Sequence, residues 1–234
     1  MKKSPTDNVK QVLKRLQQLG DPRAVEGMAK YGIATKHACG VSVPNLRKMA
    51  KEIGTNHGLA LQLWASGIHE ARILASMIDD PAMVDETQME TWVKQFDSWD
   101  VCDQCCLNLF SKTAFAYEKC AEWPSRNEEF VKRSGFALMA CLAVADKSAG
   151  DRRFEKFLPI IRREATDDRN YVKKAVNWAL RQIGKRNLNL NRKAIETAQK
   201  IEGMDSRSAR WVASDALREL TSEAVQERLR ARGA

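Results

Sequence analysis

The feature that most constrains the fold is a helical spacing of apolar residues that recurs along almost the whole chain. It is seen in VKQVLKRLQQL, LALQLWASG, FVKRSGFALMACLAV and YVKKAVNWALRQI, where apolar side chains return every three or four positions. No segment alternates in the way of a strand. Turn-forming residues separate the helical segments at residues 20–22, 34–44, 79–81, 123–125, 147–151 and 187–191. The sequence therefore predicts an all-α chain of short helices joined by turns.

Five of these segments resemble one another: EARILAS, CDQCCLN, KRSGFAL, KKAVNWAL and ARWVASDAL. Aligning them places five charged residues at one position, and their spacings are 31, 30, 41 and 36 residues: Arg72, Asp103, Arg133, Lys174 and Arg210. Helical repeats of the HEAT type have this period, and each helix pair buries its apolar face only by stacking on its neighbours. We therefore expect one HEAT-like α-solenoid domain over residues 1–234, with these five residues on one face.

The positive charge of the chain is local. Of a formal net charge of +9, residues 151–193 supply 13 Lys or Arg against 5 Asp or Glu, whereas residues 70–103 hold 2 bases and 9 acids. A local basic surplus is typical of a surface that binds nucleic acid. No helix-turn-helix, zinc-finger or aromatic single-strand motif is present, so we expect phosphate contact along a concave basic groove rather than base-specific recognition.

The acidic stretch FDSWDVCDQ, residues 96–104, contains one tryptophan and three aspartates. Asp97 or Ser98 can cap a helix, and Asp100 in its first turn is favoured by the helix dipole. Asp103 lies too far inside for capping and is one turn from Trp99, on the same face. An indole beside a carboxylate in a basic groove suits a ligand with anionic edges and a cationic centre, such as an alkylated purine nucleotide.

A second aromatic and basic group follows the same spacing. Lys174 and Trp178 are one turn apart, and Arg181 lies about one turn further along. We expect Lys174, Arg181 and Arg133 to hold phosphates and Trp178 to offer a second aromatic surface. For the remaining tryptophans we expect packing between helices: Trp64, Trp92, Trp123 and Trp211.

Cysteine and histidine residues do not complete a metal site. Cys102, Cys105 and Cys106 form a C-x-x-C-C run, but no second pair accompanies it, and we expect buried, reduced thiols. The segment HEARI begins like a zinc-protease motif at His69, but Ile73 replaces the second histidine. The sequence predicts no metal and no cofactor. No apolar run has the length of a membrane span, and the polar start favours a cytoplasmic protein.

The chain resembles the AlkD-like DNA alkylation repair proteins, HEAT-like solenoids that include DNA glycosylases acting on alkylated purines. The resemblance is clearest in WDVCD at Trp99 to Asp103, in FVKRSGFAL around Arg133 and in YVKKAVNWALRQIGKRN around Trp178. It implies that Asp103 is the catalytic carboxylate, that Arg133 is its basic neighbour at the DNA backbone, and that Trp99 and Trp178 flank the damaged nucleotide. It also implies action from the backbone side of the lesion, without a deep base pocket.

The segment GIATKHACGVSVPNLR, residues 32–47, departs from the family because it is longer than the compact G-x-x-x-P-x-x-R element. Some relatives bind DNA structures without releasing bases.

These observations lead to one function and two alternatives. The preferred function is a monomeric DNA glycosylase that binds duplex DNA and hydrolyses the N-glycosidic bond of N7- or N3-alkylated purines. Its DNA-backbone contacts would be Arg133, Lys174, Arg181, Arg72 and Arg210. The alternatives are a DNA-structure binder without hydrolysis, in which Asp103 pairs with Arg133 or Lys174, and a protein-interaction solenoid whose basic face meets an acidic partner.

Overall fold

The computed structural model of the protein describes residues 8–233, with side chains described as far as residue 231. The described chain contains only helices and connecting turns. Up to residue 114 the α-helices are α1 (Val9–Gln18), α2 (Pro22–Lys30), α3 (Val43–Ile53), α4 (His57–Ala65), α5 (His69–Ile78), α6 (Glu86–Lys94) and α7 (Trp99–Asn108). They are followed by α8 (Ala116–Glu122), α9 (Glu129–Ala145), α10 (Asp151–Glu155), α11 (Phe157–Glu164), α12 (Asn170–Gly184), α13 (Leu188–Glu202), α14 (Arg207–Leu220) and α15 (Glu223–Gly233). Short 3-10 helices occupy Phe110–Lys112 and Trp123–Ser125.

Side-chain caps fix several helix starts. The Asp21 carboxylate accepts from the Arg23 amide just before Pro22, and the Asn187 side chain accepts from the Leu190 amide. The predicted break at residues 187–191 is therefore wrong for residues 188–191, which are helical. Asn187 acts as an N-cap that starts α13 at Leu188, rather than as part of a longer turn.

The helices form two compact units, one ending at Ala114 and the other beginning at Phe115. In the first unit α5 and α7 pack side by side and run in the same direction. His69 of α5 contacts Asp100 of α7, 31 residues later, and Ser76 of α5 is bonded to Asn108 of α7, 32 residues later. These pairs agree with the spacing of 31 residues between Arg72 and Asp103 in the sequence alignment.

In the second unit α9, α12 and α14 pack in the same parallel manner. The Asn177 amide of α12 donates to the Val212 carbonyl of α14 at 3.1 Å, a separation of 35 residues. Close packing depends on glycine at two places. A Cβ at Gly135 of α9 would collide with Pro124, and one at Gly184 of α12 would collide with Leu220. Equivalent helices of successive repeats thus stack on one another, as in HEAT-like folds.

The tryptophans divide differently from the sequence-based expectation. Trp64 and Trp92 are buried and stack with ring centroids 3.9 Å apart, and Trp123 is fully buried. These three confirm the prediction of core packing. The prediction is wrong for Trp211, which is 41% exposed on α14. An amphipathic helix period places Trp211 near the boundary of the buried face, where packing against the next element decides its burial.

The three clustered cysteines are buried free thiols, as expected from the sequence. Burial raises the pKa of the Cys105 thiol well above its usual range, with Cys102 and Asp79 adding to the effect. A protonated, enclosed thiol is a poor metal ligand and a poor nucleophile. Among residues 8–233, no helix is long and apolar enough to cross a membrane.

Candidate nucleic-acid interface

Trp99 and Asp103 lie one turn apart at the start of α7, and both side chains are half-buried. Trp99 is the first residue of the helix, after the N-cap Ser98. Its indole N–H donates to the Tyr31 carbonyl at the end of α2, at 3.1 Å. This bond fixes one edge of the indole while leaving part of the ring accessible. Trp99 and Asp103 therefore lie one turn apart on one helix, as the sequence predicted.

Asp100, between these two residues, has a structural task. Its carboxylate contacts the His69 Nε2 atom at 2.8 Å and accepts from the Ser98 hydroxyl. Burial acts to lower the pKa of His69, but the hydrogen bond and charge of Asp100 outweigh it and raise that pKa. Burial likewise acts to raise the pKa of Asp100, and His69 and Ser98 reverse the shift to a lowered pKa. These opposite shifts favour the charged form of the pair, which ties α7 to α5.

The long segment before α3 is held by a buried carboxylate that the sequence analysis did not identify. Glu70, at the start of α5, accepts backbone N–H groups of Cys39, Gly40 and Val41 at 2.8, 2.6 and 3.3 Å. In addition, the His69 amide donates to the His37 carbonyl at 3.0 Å. Residues 37–41 are therefore fixed to the same helix end that contacts Asp100.

Gly40 is required in this segment for two reasons. Its φ of +81° lies in the left-handed region, which disfavours other residues. A Cβ at this position would also collide with the Asp21 carbonyl. The segment is therefore an ordered part of the first unit that joins the end of α2, which holds Trp99, to the start of α5.

Arg72 is the predicted phosphate contact of the first unit, and its guanidinium already binds protein groups. One terminal nitrogen donates to the Gln95 carbonyl at 3.2 Å and lies 3.4 Å from the Asp97 carboxylate. The guanidinium also lies 5.6 Å from the Trp64 ring centroid. Its side chain is only 15% exposed. Arg72 therefore joins α4, α5 and the turn before α7.

In the second unit, α12 carries three of the predicted residues. Lys174 is exposed, and its side chain makes no hydrogen bond or ion pair with the described residues. Trp178 is half-buried one turn later. Arg181 binds α14, with one terminal nitrogen 2.5 Å from Glu219 and 3.7 Å from Asp215. Lys174 and Trp178 thus present a cation and an indole on adjacent turns, whereas Arg181 is engaged in an ion-pair network.

The other two predicted cations differ in exposure. Arg133 on α9 is buried, and its guanidinium donates to the Tyr171 carbonyl at the start of α12, at 2.6 Å. Arg210 on α14 is exposed and lies 3.6 Å from Asp205, which is exposed as well. Arg133 therefore connects two stacked helices, whereas Arg210 remains available to solvent.

The sequence analysis missed two side chains of this unit that lie near predicted residues. Lys173 precedes Lys174 on α12, and its Nζ is 5.6 Å from the ring centroid of the exposed Trp211 on α14. The only sequence signal is the WVASDAL segment, in which Trp211 directly follows the predicted Arg210.

Similarity to known proteins decides the family. A family model for DNA alkylation repair enzymes matches residues 12–220, which is most of the chain. The chain belongs to this family. The match spans both units and includes every predicted site residue. Among curated proteins, none shows significant sequence similarity to this DNA alkylation repair family member.

One solved structure supports the fold. It is described as a new family of proteins related to the HEAT-like repeat DNA glycosylases with affinity for branched DNA structures. It has 20% identity and a TM-score of 0.75, and the alignment covers 91% of this chain and 95% of that chain. An engineered protein from a structural genomics consortium aligns at 16% identity over 89% of this chain and 98% of its own, with a TM-score of 0.39. The similarity at a TM-score of 0.75, together with the helices of the described chain, gives the repair-family chain an all-α, HEAT-like repeat fold.

Proposed function

We propose that the protein is an alkylpurine DNA glycosylase, which binds duplex DNA as a monomer and hydrolyses the N-glycosidic bond of N7- or N3-alkylated purines. The observation that carries this proposal is the pair of half-buried side chains at the start of α7, the indole of Trp99 and the carboxylate of Asp103. Membership in the DNA alkylation repair family supplies the class of lesion.

The chemistry requires little from the protein. An alkylated purine already carries positive charge, so it leaves as a neutral base without a general acid. What remains is to stabilise an oxocarbenium-like sugar and to orient water, and one carboxylate can do both. In this proposal Asp103 has that role, and Trp99 on the same helix contacts the sugar or base of the damaged nucleotide through its aromatic face. Trp178 in the second unit is proposed to contact the DNA through its own aromatic face.

The proposed DNA contacts follow the exposure of the cations. Lys174 and Arg210 are exposed and would bind phosphates directly. Arg72, Arg133 and Arg181 already bind groups of the protein. We therefore expect them to attract DNA phosphates only through longer-range electrostatics, which salt screens. Their individual contributions to affinity should therefore be smaller than those of Lys174 and Arg210.

Release of free base tests the proposal. The purified protein is incubated with DNA that contains 7-methylguanine or 3-methyladenine, and the released bases are quantified. We expect release by the parent and a loss of about a hundredfold or more for Asp103→Asn, the effect of removing a preorganised electrostatic contact. Glu202→Gln, an exposed acid at the end of α13, is the matched control and should leave the rate unchanged. Equal release by parent and Asp103→Asn would remove Asp103 from catalysis.

The second candidate function is the binding of DNA structures without hydrolysis. It is favoured by the similar structure of a protein family with affinity for branched DNA. In this case Asp103 would have a purely structural role. Tight binding of branched DNA together with no release of either methylated base would favour this function over the glycosylase.

A further inference from the structure

Trp211 is a large apolar side chain that the fold does not bury. It lies on α14 and is 41% exposed, whereas Val212 and Ala213, which follow it, are fully buried. Exposing part of an indole forgoes the stabilisation that burial of so large an apolar surface provides. Tryptophan is enriched among the residues that contribute most to binding interfaces. A ligand that covers the ring would recover the stabilisation that the fold leaves unused.

Cations lie beside Trp211, and the nearest acids in the sequence already form ion pairs, Asp215 with Arg181 and Arg218 and Asp205 with Arg210. The Lys173 ammonium lies 5.6 Å from the ring centroid, close to the outer limit of cation–π contact, so it can move to a better partner. Arg210 precedes Trp211, and Arg207 lies at the first position of the same helix. The first turns of α12 and α14 contain no acidic residue. Because helix N-termini carry partial positive charge, cations there add to a field that attracts anions.

The backbone that carries Trp211 is held firmly in the second unit. The Asn177 amide of α12 donates to the carbonyl of Val212, and the Ser208 hydroxyl donates to the Asp167 carbonyl at 2.6 Å. These bonds connect α14 to α12 and to the turn before it, on either side of Trp211 in the sequence. The indole is thus presented on a rigid base, which lowers the entropy lost when a ligand stacks on it.

We propose that Trp211 and Lys173 form a stacking site for an unpaired nucleotide, with the base on the indole and its phosphate beside Lys173 and Arg210. An aromatic face flanked by cations matches a nucleotide, which combines a flat base with an anionic phosphate. Bases inside a continuous duplex already stack on one another, so only an unpaired or terminal base offers its face. An acidic or apolar peptide is the competing ligand, but it would not require a planar partner for the ring.

This inference rests on the proposed function only in assuming that the protein binds DNA, and it adds a contact outside the lesion site. The test uses two unmodified DNAs of the same sequence, a blunt duplex and the same duplex with a single-stranded thymine overhang. Affinity is measured by fluorescence anisotropy of labelled DNA at fixed salt. The variants are Trp211→Ala, Trp211→Phe, and Leu188→Ala as a control that removes another exposed apolar side chain of this unit.

We expect the parent to bind the overhang DNA roughly fivefold or more tightly than the blunt duplex, as stacking of one base provides. Trp211→Ala should lose this gain and keep the affinity for blunt duplex, Trp211→Phe should retain part of it, and Leu188→Ala should behave as the parent. Overhang DNA should also quench the tryptophan fluorescence of the parent more than that of Trp211→Phe.

Two results would overturn the inference and leave DNA binding intact: equal affinity of the parent for both DNAs, or an overhang gain that survives in Trp211→Ala. Absence of binding to either DNA would instead refute the DNA-binding function as well. An affinity of the parent for an acidic peptide that Trp211→Ala loses, without any overhang gain, would assign the surface to a protein partner.

Discussion

Replacement of Glu70 tests whether the segment before α3 is held by one buried carboxylate. Glu70→Ala leaves the N–H groups of Cys39, Gly40 and Val41 without their acceptor. An unsatisfied buried donor costs about 1–3 kcal/mol. Two of the three bonds are short, and the one at 3.3 Å is weaker. Using the lower half of that range for each group, we expect a loss of roughly 3–6 kcal/mol in the free energy of unfolding.

Glu70→Gln refines this magnitude. One carboxylate oxygen accepts from both Gly40 and Val41, and the amide oxygen of glutamine can replace it. The other oxygen accepts from Cys39, and there the glutamine NH2 group would face a second donor. Only one of three amides loses its acceptor, so we expect a smaller loss of about 1–3 kcal/mol. The free energy of unfolding should therefore decrease from the parent to Glu70→Gln to Glu70→Ala, because the two carboxylate oxygens accept from different amides.

Urea unfolding measures the free energies, and hydrogen exchange locates the change. The amides of residues 39–41 should be protected in the parent and should exchange faster in Glu70→Ala, before other amides of the first unit do. Glu202→Gln, on exposed surface, serves as the control. If Glu70→Ala unfolds at the urea concentration of the parent and residues 39–41 keep their protection, the assigned role of Glu70 is refuted.

Three further predictions concern charge and recognition. Lys174→Ala should lower the log–log slope of duplex affinity against salt concentration by about 0.9, as for one lost phosphate contact; an unchanged slope would remove Lys174 from the DNA surface. Arg133→Ala should lower the urea midpoint because the bond from its guanidinium to the Tyr171 carbonyl is lost. The pKa of His69 is raised from 6.5 and that of Asp100 is lowered from 3.8, so their pair stabilises the fold fully between pH 3.8 and pH 6.5. This stabilisation is lost as the pH rises through the raised pKa of His69 or falls through the lowered pKa of Asp100. The urea midpoint of His69→Gln should therefore lack the decrease at alkaline pH. In single-turnover assays the parent should release 7-methylguanine or 3-methyladenine but neither uracil nor hypoxanthine, because neutral bases gain no cation–π attraction. Trp99→Ala or Trp178→Ala should slow that release without unfolding the chain. Efficient removal of uracil would contradict the charge-based mechanism.

The helical fold could be predicted because a period of 3.6 residues is visible in a single sequence. The stacking of equivalent helices could be predicted as well. The predicted spacing of 31 residues between Arg72 and Asp103 is also the sequence separation of His69 and Asp100, which are hydrogen-bonded across α5 and α7. That same spacing could have revealed the His69–Asp100 pair. His69 and Asp100 each lie one turn before the aligned residues Arg72 and Asp103.

Other features have no signal in the sequence. The sequence around Glu70 does not distinguish it from a solvent-exposed glutamate of a helix. Its three partners are backbone N–H groups about 30 residues away, which leave no side-chain pattern in the sequence. The exposure of Trp211 depends on how far neighbouring helices cover α14. The spacing of apolar residues along α14 does not predict that coverage. Similarly, Arg133 and Lys174 look equivalent in the alignment, but one is buried against a carbonyl and the other is exposed.

Two aspartates lie three residues apart at the start of α7, Asp100 and Asp103, and we assign them different roles. Asp100 contacts His69 and Ser98, and the lowered pKa of its carboxyl group means that it remains a carboxylate balanced by a histidine whose own pKa is raised. Because Asp100 is hydrogen-bonded to His69 and Ser98, we do not assign it a contact with the ligand. The proposed catalytic role therefore passes to Asp103, and the His69–Asp100 pair supports it indirectly by fixing the helix end on which Trp99 and Asp103 lie. Loss of His69 should consequently weaken activity through the position of α7, whereas loss of Asp103 should remove the chemistry itself.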